Sequence, residues 1–147
     1  MKSLAQKETR REIQERIGRL TKDRPARWGK MTVSQMVAHC ADSIRMGLGQ
    51  LPTKPRRLPL RYPPLKQLVV YWLPFPKGAP TAPELIARTP SDWETETSEL
   101  AKLVESIGSR NVGGVWPDHP AFGRLTGTGW CVLGYRHLDH HLRQFGA

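Results

Sequence analysis

The chain has 147 residues, 38% of them hydrophobic and 24% charged, with a formal net charge of +10. That length fits one domain with a single core, so residues 1–147 are read as one unit. The longest apolar run, Leu68 to Leu73, is too short to cross a bilayer, and the two cysteines, Cys40 and Cys131, are too few and too isolated for a disulfide framework.

The start of the chain lacks the apolar centre of a signal peptide. Together these features predict a cytoplasmic protein with reduced thiols and no membrane partner. The charge permits binding to nucleic acid or acidic membranes. The positive residues, however, are spread from Arg10 to Lys66 with no aromatic-interleaved motif for single strands. A basic, solubilising surface is the plainer reading.

Residues 3–20 read as a first helix, with Ile13, Ile17 and Leu20 as its apolar seam. Pro25 ends any continuation, because proline lacks an N–H and restricts its predecessor. A second helix is expected over about 32–49, capped by Thr32 or Ser34 and ended by Gly47 and Gly49. Its stripe is Val33, Met36, Val37, Cys40, Ile44 and Leu48, with His39 on the flank.

Ten of the thirteen prolines fall between residues 51 and 90. A long ordered connection is expected there, with one short helix around 63–72. A loop of this length is usually functional or disordered. Its apolar content predicts packing against the helices as a rim over a site. Ser91 is placed as cap of a third main helix over 92–107, with Ser91 and Glu94 as a capping box and Gly108 as its stop. A fourth main helix starts at Thr126 or Thr128 and runs to about Phe145. Four amphipathic helices with one long crossover predict an all-α, four-helix bundle.

The last helix holds the most informative pattern. Residues four apart share a helix face, so His137 and His141 point the same way, on a stripe with Trp130, Gly134 and Gln144. Buried imidazoles need partners, since an unsatisfied polar group costs about 1–3 kcal/mol, and a metal ion would satisfy both. The residue after His137 is Leu138 and not Glu, so the zincin protease motif is not met. His39 is the natural third ligand. Three imidazoles would leave positions open for water or substrate. Cys40 is expected in the core. His119, before Pro120, reads as structural, and His140 points away from the pair toward solvent or a neighbouring helix. Gln144 is positioned to orient a ligand histidine. Imidazole suits zinc, nickel, copper and iron alike.

The segments 28–32 and 35–43, which contain Trp28, Gly29 and His39, resemble the DinB/YfiT-like superfamily of metal-dependent bundles, specifically an uncharacterised bacterial subfamily. So do 76–83, 119–126 and the terminal 137–146. The resemblance covers nearly the whole chain from residue 28. It implies a DinB-like four-helix bundle whose divalent metal is held by one histidine of the second helix and a His-x-x-x-His pair of the last. In this chain those positions are His39, His137 and His141. It further implies an enzyme using a low-molecular-weight thiol, S-transferase-like, or activated water, a small-molecule substrate, and a homodimer. The long proline-rich connection departs from the superfamily pattern, so substrate choice does not carry over. Two other readings stand beside this one. One is a basic module for nucleic acid or an acidic partner, with structural histidines. The other is a metal-binding protein without catalysis.

Overall fold

Four long helices and several short turns make up the computed structural model, which describes residues 1–147. The first helix, α1, spans Lys7–Gly18 and buries Ile13 and Ile17. It starts later than its seam predicts, because Leu4 leaves the helical path and plugs the core. Leu4 is fully buried. Its N–H donates to the Cys131 carbonyl at 3.1 Å, and its own carbonyl accepts from Arg10 Nη1 at 3.0 Å. Burying one leucine stabilises by about 1.5–3 kcal/mol, which outweighs one further helical turn at a frayed end.

Helix α2 spans Val33–Leu48. Thr32 caps it in a full capping box with Gln35. Gly49 ends it in the left-handed conformation, with φ 77°, whereas Gly47 stays helical and gives room to Ile107 and Trp130. The proline-rich connection is ordered. It holds 3-10 turns at Pro59–Arg61 and Pro83–Leu85, and a one-turn helix α3, Leu65–Gln67, that runs on as a π turn, Leu68–Trp72. Val70 anchors this turn in the core, and Arg136 donates to the carbonyls of Val69, Val70 and Leu73.

Helix α4 spans Trp93–Ser109. Its cap is Asp92, which accepts from the Thr95 N–H at 3.0 Å, and not the expected Ser91–Glu94 box. Ser91 instead donates its N–H and hydroxyl to Glu96. Glu96 is drawn there by Arg88, which pairs with both Glu96 and Asp42. Gly108 does not stop the helix. Its missing side chain admits Leu4 and Arg10: a Cβ there would lie 2.2 Å from the Leu4 carbonyl oxygen. Helix α5 spans Gly127–Gln144 and is capped by Thr126, which accepts from the Gly129 N–H at 3.1 Å.

The chain is all-helical, and its one bridge of strand type joins His119 and Gly123. Helices α1 and α2 each pack against both α4 and α5, giving the ring order α1–α4–α2–α5. Met36, Val37, Leu100, Val104, Ile107, Leu138, Leu142 and Phe145 fill the shared core. The side-by-side placement of α2 and α5 is what lets His39 meet the histidines of the last helix. No helix is long and apolar enough to cross a membrane.

Candidate metal centre

One ligand-type atom from each of His39, His137 and His141 lies within 4.8 Å of the other two. The ring centroids of the three pairs are 4.8, 4.8 and 4.6 Å apart. His39 comes from the middle of α2 and is buried; His137 and His141, one turn apart on α5, are partly buried. The cluster contains no carboxylate or thiolate.

Hydrogen bonds around the cluster decide which nitrogens face inward. His39 Nδ1 lies 3.1 Å from the Leu85 carbonyl. A carbonyl only accepts, so Nδ1 carries the hydrogen and Nε2 presents a lone pair. His141 is held in the same way. Its Nδ1 lies 2.8 Å from Gln144 Oε1, while Gln144 Nε2 donates to the Trp28 carbonyl at 2.8 Å. That second bond fixes the orientation of the amide, so Oε1 accepts from His141 Nδ1 and His141 Nε2 is a lone pair. His39 Nε2 and His137 Nε2 are 2.9 Å apart, bridged by one hydrogen that His137 donates.

Burial keeps all three imidazoles neutral. It lowers the pKa of His39, and lowers that of His141 to about 3, helped there by the neighbouring His39. His137 is pushed well below the usual 6.5, first by burial and then by His141 and His39. A neutral imidazole is the ligand form. Nitrogens held about 2.0–2.1 Å from one zinc ion lie about 3 Å apart. The His39–His137 pair is already at that spacing, with His137 ligating as the tautomer whose hydrogen sits on Nδ1, and the widest separation exceeds it by less than about 2 Å, a distance that side-chain rotation spans. The residues present therefore fit a three-imidazole cation site.

Aromatic groups flank one side of the cluster, around His140. Phe75, from the proline-rich connection, lies 6.4 Å from His137 and 6.0 Å from His140. Trp28 meets His140 at 5.7 Å and carries Lys77 Nζ 4.7 Å above its ring. Gly29 is required beside Trp28: with φ 81°, its Cα approaches Gln144 so closely that a Cβ would sit 2.7 Å from Gln144 Nε2.

The structure brings together His39, His137 and His141 and leaves the other two histidines outside. His140 packs among those aromatic groups. His119 turns its Nδ1 to accept from the Ala121 and Phe122 N–H groups and lies 5.2 Å from Trp130 with the rings tilted; burial lowers its pKa to about 3. Cys40 is buried and its thiol is pushed up. Trp130 is a core residue whose Nε1 donates to the Pro117 carbonyl. Sequence reasoning missed the Leu85 carbonyl, the Trp28 carbonyl and Arg88. Backbone acceptors leave no mark in a side-chain pattern, and Arg88 was one cation among many.

The fold and site thus define an all-helical protein with a buried-edge cluster of three neutral histidines. The chain belongs to the DUF1569 family of proteins of unknown function, whose model matches residues 2–147. No curated protein and no solved structure matches the chain.

Proposed function

We propose that this chain is a DinB-like four-helix bundle that holds one divalent transition metal with His39, His137 and His141. Its reaction would join a small-molecule substrate to a low-molecular-weight thiol, or to water. The observation that carries this reading is the convergence of three neutral imidazoles, two of them oriented by dedicated acceptors. Three protein ligands leave coordination positions open, as in catalytic and not structural zinc sites. When bound, the metal would lower the pKa of a thiol or water toward neutrality.

The chain's own residues do the rest. Leu85 and Gln144 hold the imidazole tautomers. Phe75, beside His137, and Trp28, beside His140, would bound one side of the space a substrate enters. Arg88 ties the Leu85 turn to α2 and α4 through Asp42 and Glu96. The test is elemental analysis of the purified chain beside His137→Ala. One metal ion per chain is expected, absent in the variant while its helical circular dichroism is kept. No metal in either protein after reconstitution with zinc or nickel would overturn the reading.

A further inference from the structure

Seven of the 23 Lys and Arg residues, and none of the 13 carboxylates, lie between Asp42 and Glu84. Arg45 among them is paired with Asp42 and Glu99, and Arg57, Arg61 and Lys66 stand on the stretch from Arg57 to Leu73, which carries no carboxylate. The same segment carries five of the nine exposed large apolar groups: Leu58 is 36% exposed, Tyr62 69%, Leu68 43%, Trp72 71% and Leu73 45%. Within the π turn, Leu68 and Trp72 stand four apart on the side opposite buried Val70. Arg136 and Val70 anchor the turn from inside, which leaves Leu68 and Trp72 facing outward. Arg57 and Tyr62 line one groove beside the turn, with a volume of about 600 Å³.

We propose that this face, from Arg57 to Leu73, docks on the surface of an anionic phospholipid membrane. Indole and phenol rings settle at the headgroup level of a bilayer. Interfacial binding scales with the apolar area buried plus attraction to anionic lipid, and stable binding takes both signals. Both are present here on one stretch of chain: Arg57, Arg61 and Lys66 lead into the turn that holds Leu68 and Trp72 outward. A second copy of the chain is disfavoured as occupant, because two such faces would oppose like charges. Single-stranded nucleic acid would use Tyr62 and Trp72 as stacking platforms, but offers nothing to the aliphatic Leu68 and Leu73 beside them. The expected absence of any membrane partner rested on the lack of a spanning segment, a requirement that surface docking does not impose.

The test uses the full chain in co-sedimentation at low and moderate salt. The vesicles are phosphatidylcholine alone, or phosphatidylcholine and phosphatidylserine in equal parts. Binding is expected only to the mixed vesicles and should weaken as salt rises. Arg57, which makes no ion pair, is replaced in Arg57→Gln, and partitioning should fall roughly fivefold. Trp72→Ala should reduce it by a similar factor at unchanged charge, with the thermal melt of both variants preserved. No sedimentation with mixed vesicles at low salt would overturn the proposal. So would sedimentation indifferent to Trp72→Ala, or loss in these variants of affinity for a single-stranded oligonucleotide without any vesicle binding. Metal content is untouched by every one of these outcomes, so the proposal and the metal centre fail separately.

Discussion

Gln144 is the most exposing place to perturb the metal centre, because it touches a candidate ligand without being one. It is buried, accepts from His141 Nδ1 at 2.8 Å, and donates to the Trp28 carbonyl at 2.8 Å. Gln144→Leu keeps the volume and removes both bonds. Each net hydrogen bond is worth about 1 kcal/mol, and stranding a buried partner costs about 1–3 kcal/mol. The Trp28 side is only part-buried, so a total near 3 kcal/mol is expected, or about 10 °C in Tm for a chain of this size. The same change frees His141 to rotate or change tautomer. Loss of such an outer partner lowers metal affinity about 10–100-fold. Gln144→Glu separates the two effects: it keeps an acceptor for His141 and loses the donor to Trp28. Zinc affinity, measured by competition with a chromophoric chelator, should fall in Gln144→Leu and hold within a few-fold in Gln144→Glu. Urea melts should show both variants destabilised. Wild-type zinc affinity in Gln144→Leu would refute the argument that this amide sets the lone pair of His141.

Arg88→Met leaves the nearly fully buried carboxylates of Glu96 and Asp42 without their shared cation. Removing one partner of a buried pair costs about 3–5 kcal/mol; partial exposure of Arg88 reduces that to about 2–3, readable by urea denaturation. Gly108→Ala should destabilise by at least about 1–3 kcal/mol, since its Cβ would meet the Leu4 carbonyl oxygen as well as the Arg10 side chain, each at 2.2 Å; a melt unchanged from wild type would show that the Leu4 plug is not held as described. Acid should unfold the metal-free protein in a recognisable window. His39, His119, His137 and His141 all have pKa values lowered by folding, so the native state binds fewer protons. Stability is then full above the usual histidine value of about 6.5 and falls as pH drops below it, continuing toward about 3. Glu96, held at about 2 chiefly by its hydrogen bonds from Arg88, adds a further loss below its usual range. Urea midpoints that stay flat between about pH 6.5 and 5 would contradict the burial of the histidines.

The sequence by itself determined what depends on spacing along one element. The stripes of Ile13 and Ile17 and of Met36, Val37 and Cys40 follow from a period of 3.6 residues, and each is buried in the structure. The caps, narrowed to Thr32 or Ser34 and to Thr126 or Thr128 and found at Thr32 and Thr126, and the common face of His137 and His141, are local in the same sense. Only tertiary structure decided the rest. His39 sat on the flank of its stripe, and turning it toward α5 required α2 and α5 to be neighbours in the ring; it meets a histidine 98 residues away. Gln144 found its second partner 116 residues away at Trp28. Leu4 abandoned the helix its neighbours would have extended, and Ser91 gave up its cap to serve Glu96. In each case a long-range burial or ion pair worth more than a local helical preference settled the choice, and the pattern of residues along one segment carries no record of what lies across the core.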